Sequence, residues 1–288
     1  MWVRGFLRHL LTLLLTVFFG GFLGATLVRF APGFDVDERE LDPRLQEGSI
    51  RALRRDRASE HNIIGFYGRY LFGLSRGNLG VSRSLGRPVA QLFAERIPVT
   101  ARMAGLGLMG AWLLGFGSAL IGVTARKWAL DLFTTFVSGL FLCLPSAVLA
   151  LLFLYWRGPV PVAIAAVVAP RIFRYCQNLL MQTYESPHVL TARAKGLHPA
   201  RILIWHVLPP AAPQILALAG VSVSMALGAA VPIEAICDSP GIGQLAWQAA
   251  LGRDLPLLVN LTLFVALVTL TVNSVSDLAC KAWERHPA

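Results

Sequence analysis

Five stretches of the chain are apolar and free of charge over nineteen residues or more: Leu10 to Val28, Met103 to Ala125, Leu132 to Trp156, Val207 to Ile233 and Leu255 to Ser276. A bilayer core of about 30 Å takes roughly 20 helical residues to cross, so each stretch predicts a membrane-spanning helix. A sixth, Gly158 to Pro170, is shorter before Arg171 and Arg174 interrupt it. Extended to about Leu180, with both arginines reaching for the headgroups, it predicts another span. The pattern predicts an all-α, polytopic membrane protein with six transmembrane helices and both termini on one side.

Between these runs the pattern changes. Asp35 to Glu60 is dense in charge and lacks a sustained apolar period, which predicts a segment poorly ordered or held by a partner. Ile63, Ile64, Phe66, Tyr67, Tyr70, Leu71 and Leu74 recur at helical spacing, and a turn over Ser75 to Gly80 ends them. Val89, Leu92, Phe93 and Ile97 predict a further short amphipathic helix before Pro98 opens the second span. Both helices are expected to lie along the outer membrane surface. The expected organisation is a first transmembrane helix in 1–30, an outer loop in 31–97 and a five-helix core in 98–288.

The inner loop, 182–210, carries the clearest local signals. Ser186 stands where a helix is capped, Pro187 where its missing N–H costs nothing, and Gly196 where a left-handed residue ends the helix. These marks predict a helix of about ten residues. His198 and Pro199 start a second helix, which runs through Arg201 to Val207 towards Pro209 and the fifth span.

Composition agrees with the pattern. Of 288 residues, 55% are hydrophobic and 15% charged, against about 25% charged in an ordinary soluble domain. Positive charge sets orientation. With the N-terminus in the cytoplasm, the inner segments hold Arg4, Arg8, Arg126, Lys127, Arg171, Arg174, Arg193, Lys195, Arg201, Lys281 and Arg285, while the short outer loops hold Arg157 and Arg253. The long outer loop has eleven arginines nearly balanced by nine acids, and loops of that length escape the charge rule. The net charge of +10 therefore has a topological origin, and no nucleic-acid partner is expected from it. A cleaved signal peptide is the alternative for the first run, but that run is longer than the apolar core of such a signal and lacks a small-residue cleavage site before Pro32.

Candidate chemistry is sparse. Gly105, Gly107 and Gly110 spell a dinucleotide-type pattern, but inside a membrane helix the amides are already used, so the glycines read as helix contacts, like Gly20 with Gly24 and Ser118 with Gly122. No phosphate-cradling G-x-x-x-x-G-K-[ST] loop is present, so ATP would have to be bound by another chain. The six histidines have no metal-ligand spacing, and Cys143, Cys176, Cys237 and Cys280 are too scattered for a zinc site or disulfide framework. Neither a cofactor nor a catalytic grouping is expected. Glu234, Asp254 and Asp277 stand at or near span ends, whereas a proton-driven transporter more often places a carboxylate at mid-membrane.

Thr191, Ala192, Arg193, Ala194, Lys195, Gly196 and Leu197, followed after the glycine by His206, Val207, Leu208 and Pro209, resemble the cytoplasmic signature of ABC-importer permeases. The variant is similar to that of the dipeptide, oligopeptide and nickel family. Arg29 to Gly33, Tyr70 through Ser82, Gly86 to Val89, Glu95 to Thr100, Glu234, Ser239 to Gly243, Arg253 with Asp254 and Pro256, and Asn273 with Asp277 resemble its B-type subunit in the same order.

The resemblance implies a permease of the bacterial inner membrane that passes peptides or a similar small solute by alternating access and hydrolyses nothing itself. It implies a second permease, two cytoplasmic ATPases and an extracytoplasmic solute-binding protein as partners. It assigns ATPase coupling to Thr191, Ala192, Arg193, Ala194, Lys195, Gly196, Leu197, Leu208 and Pro209. Leu190 departs from the family's Glu and His206 from its Ile, and the loop over Arg157 to Pro159 is short. A nickel or other non-peptide importer, and a stand-alone channel or secondary transporter, are the alternatives.

Overall fold

The structure, a computed structural model, describes residues 76–125 and 128–285, with 72–74 and a few isolated positions before them. The expected first span apart from isolated positions, nearly all of the outer loop before Arg76, and residues 126 and 127 lie outside the described residues. Among the described residues every regular element is helical, apart from an isolated bridge between Val81 and Pro88. The helices are α1 (Val89–Ala125), α2 (Trp128–Cys143), α3 (Ser146–Tyr155), α4 (Val160–Tyr184), α5 (Pro187–Ala194), α6 (Pro199–Ile202), α7 (Leu208–Ile236), α8 (Ile242–Leu251) and α9 (Leu255–Arg285). Among the described residues three stretches, Val89–Ala125, Pro199–Ile236 and Leu255–Trp283, are long and apolar enough to cross a membrane, and the bent pair α2 and α3 makes a fourth if it is taken as one span.

Two expectations are corrected. The surface helix expected over Val89 to Ile97 is the start of α1, which runs on through Pro98. Val89, Leu92 and Phe93 are buried, so this end of α1 is held by packing. The third span is not one helix: α2 and α3 meet at 98° across Leu144–Pro145, because Pro145 fixes its own φ and pushes the residue before it out of helical geometry. The helix extended through Arg171 and Arg174 to about Leu180 is present and runs to Tyr184, with both arginines near its middle. Both are exposed, and Arg171 Nη1 donates to the Val167 carbonyl at 3.0 Å.

The chain divides into two compact units, one of Met1–Glu95 with Ala246–Leu267 and one of Arg96–Leu245 with Val268–Ala288. In the first, Asp254 is fully buried and accepts Ser82 Oγ at 2.6 Å, Ser84 Oγ at 2.9 Å and the Ser84 amide at 3.0 Å on one oxygen. Its other oxygen caps α9 through the Leu257 amide. The turn over 80–88 is thereby fastened to the start of the last helix, where Asn260 also binds the Leu79 carbonyl.

In the second unit α4 is the central helix. Its Ala163, Ile164, Val167, Val168, Ile172, Phe173, Cys176 and Leu180 recur at helical spacing and are buried against α2, α3 and α7. Helices come together where side chains are missing: a Cβ on Gly107 would stand 2.8 Å from Ile164, and one on Gly115 2.7 Å from the Ala169 carbonyl. Gly105 has no such neighbour, so the helix-contact expectation holds for Gly107 and not for Gly105. Cys176 is buried as a packing residue, whereas Cys143 is exposed.

Candidate functional site

The loop between α4 and α7 folds as its punctuation predicts, with one exception. α5 is eight residues long, with Pro187 in its first turn and Ser186 in extended backbone at the cap position. The Ser186 hydroxyl does not cap it, donating instead to the Thr183 carbonyl at 2.5 Å. At the other end Gly196 has φ +70°. Its amide reaches the Arg193 carbonyl at 2.9 Å, and the Leu197 amide reaches back to Ala192 at 3.4 Å. This pair of bonds is the Schellman ending, and it needs the left-handed residue that glycine supplies without strain.

α5 has two unlike faces. Val189 and Ala192, three residues apart, are buried, while Leu190, Thr191, Ala194 and Lys195 are exposed. Arg193 is half-buried and lays its guanidinium 5.3 Å from the Tyr184 ring centroid at the end of α4. Tyr184 also borders a cavity of about 260 Å³ with Asp131, Gln177, Trp128 and Glu185, in which Gln177 donates to Asp131. Leu197, Leu208 and Pro209 are half-buried. The expected site residues thus form one continuous unit, but Ala192 faces its own chain and offers no surface to another.

His198 begins α6 as expected, its Nδ1 accepting the Ala200 amide at 3.3 Å. α6 does not stop before the fifth span. It continues through a π-helical turn, Leu203–Val207, directly into α7, with the Leu208 amide bonded to the Leu203 carbonyl five residues back. His188 of α5 donates from Nε2 to the His206 carbonyl at 2.9 Å. His206 thus meets α5 through its backbone carbonyl. At the far end of α7, Glu234 is fully buried and accepts the Gly243 amide at 2.7 Å through Oε2. Neither link was read from sequence, since each joins a side chain to a backbone group that no residue letter announces.

Residues 111–286 match the family of binding-protein-dependent transport system inner membrane components. A Brucella suis biovar 1 protein named as a peptide permease is 28% identical, covering 88% of this chain and 89% of that one. The di/tripeptide transport system permease of Pseudomonas aeruginosa is 26% identical over 95% of each chain. The nickel import system permease of Staphylococcus aureus is 24% identical over 96% of this chain and 89% of its own. Among solved structures, a chain of the methionine ABC transporter MetNI, in an inward-facing conformation, superposes with a TM-score of 0.61 at 16% identity. That match covers 67% of this chain and 97% of the other, and shows a shared fold.

Proposed function

The chain belongs to the family of binding-protein-dependent transport system inner membrane components, and from that premise we propose how its parts divide the work of an ABC-importer permease. The exposed face of α5, with Leu190, Thr191, Ala194 and Lys195, docks on a cytoplasmic ATPase. The buried face, Val189 and Ala192, ties the docked helix to its own chain. One observation carries this reading: α5 is a short rigid element, closed by Pro187 and Gly196, with one face anchored and the other open. Such a helix passes on a displacement that a flexible loop would absorb.

Six spans with both termini in the cytoplasm, a second permease, two ATPases and a solute-binding protein complete the proposed assembly. The absence of a phosphate-binding loop in the sequence supports leaving ATP hydrolysis to the partners. The names of the Brucella and Pseudomonas relatives support peptides as cargo. The Staphylococcus relative supports a chelated nickel ion as the second reading, with the metal as cargo and not as a resident group.

Affinity purification of the tagged chain from its host membrane tests the reading. An ATPase is expected to co-purify, and reconstituted vesicles are expected to take up solute only with ATP on the ATPase side. Uptake that persists after the ATPases are removed would overturn it.

A further inference from the structure

Three prolines, Pro209, Pro210 and Pro213, open α7 within six residues. A proline has no N–H to give the carbonyl four residues before it. Pro210 withholds that bond from His206, and Pro213 withholds it from Pro209. Both carbonyls are taken up by side chains from elsewhere in the chain. The His206 carbonyl accepts Nε2–H of His188 in α5 at 2.9 Å, and the Pro209 carbonyl accepts Nε1–H of Trp283 in α9 at 3.3 Å. Two further contacts continue the second link along α7, from Cys280 Sγ to Pro213 at 3.1 Å and from Ser276 Oγ to Leu216 at 2.6 Å.

We propose that the prolines make these carbonyls available as a clasp, in which His188 is the positioning residue that makes α5 and the first turns of α7 move as one body. The proposal rests on the docking role given to α5 above. An isolated helix of eight residues has little stability of its own, and α5 buries only Val189 and Ala192. Apolar contact at two small side chains resists separation but permits tilting. The Schellman bonds hold the far end of α5, and the His188 bond holds its first turn, so a push on the exposed face is delivered to α7. On the other side Trp283 ties the same turns to the last helix. A carbonyl can only accept, so Nε2 of His188 carries a hydrogen.

The test uses the assembled importer in vesicles and reads two quantities, solute transported per ATP hydrolysed and amide exchange in residues 188–194. His188→Phe keeps the ring and removes the donor. It is expected to speed exchange by about three- to tenfold, the factor a single hydrogen bond supplies, and to lower transport per ATP. His188→Gln keeps an N–H donor and is expected to restore both. Pro210→Ala gives His206 a partner within its own helix and is expected to mimic His188→Phe, with the double variant no worse than either single one. Unchanged exchange in His188→Phe, failure of His188→Gln to restore it, or additive losses in the double variant would overturn the clasp. If the wild-type chain binds no ATPase, the docking role falls, while the exchange measurements still decide the clasp.

Discussion

Glu234 accepts the Gly243 amide at 2.7 Å, and a Cβ on Gly241 would fall on the same carboxylate. The chain leaves α7 through Asp238 at φ 51°, returns the Ser239 amide to the Glu234 carbonyl at 2.9 Å, and folds over the acid before α8 begins. Gly241→Ala therefore forces a methyl group against a buried carboxylate, an overpacking expected to cost about 1–3 kcal/mol. Thermal unfolding in detergent should show the lower midpoint. Glu234→Ala removes the obstacle, so the double variant should lose less than the sum of the two single losses. Strict additivity would show that the two residues do not meet.

Glycines in α1 make a second set of contrasts. Gly107 lies against Ile164 and the Pro161 carbonyl, and Gly115 against the Ala169 carbonyl and Ile172. Because backbone oxygens are among the obstacles, the neighbours cannot turn aside as a flexible side chain would. Gly107→Ala and Gly115→Ala are each expected to destabilise by about 1–3 kcal/mol. Gly105 and Gly117 have nothing within 4 Å of an added Cβ. Alanine there should leave the unfolding midpoint unchanged or raise it, by at most about 1 kcal/mol from helix propensity. A loss at Gly105 equal to that at Gly107 would refute this account of the helix contacts.

What the sequence made legible was local or periodic. Apolar runs announced α1, α7 and α9, and proline and glycine marked both ends of α5. Misreadings arose where one residue has two physical outcomes. Pro98 can open a helix or be carried inside one, and the buried Val89, Leu92 and Phe93 decide for the second. Pro145 sits in a run that is uniformly apolar, so hydropathy passes over a 98° bend made by backbone sterics. Arg171 and Arg174, by contrast, interrupt an apolar run without ending the helix, as expected, because an exposed arginine on one side of α4 does not disturb the buried stripe on the other. In the loop, the spacing of Thr191 to Leu197 identified the unit but not its faces. Which of Ala192 and Ala194 points inward depends on how α5 leans on the rest of the chain.

That difference in facing yields a prediction that separates docking from folding. Ala192 is 4% exposed, so Ala192→Glu buries an unpaired carboxylate and is expected to cost several kcal/mol of stability. Ala194→Glu places the same charge on the open face, as does Leu190→Glu at a side chain 52% exposed. Both should keep the wild-type unfolding midpoint and lose ATPase co-purification. An Ala194→Glu chain that binds ATPase and transports normally would remove that residue from the docking face.

Gly196 allows the sharpest ranking of substitutions. Its φ of +70° leaves room for a Cβ, since nothing lies within 4 Å, so the obstacle is conformational and not steric crowding. Asparagine tolerates the left-handed region better than other non-glycine residues, and alanine there costs about 1–2 kcal/mol. Proline, held near −65°, cannot adopt it and also lacks the N–H that reaches Arg193 at 2.9 Å. Transport per ATP should fall in the order Gly, Asn, Ala, Pro, with Gly196→Pro close to zero. Membrane insertion should be equal in all four, because the turn lies outside the apolar stretches. Transport by Gly196→Pro at the level of Gly196→Ala would mean that the closed end of α5 is not what carries the push, and that the rigid-helix account of this loop is wrong.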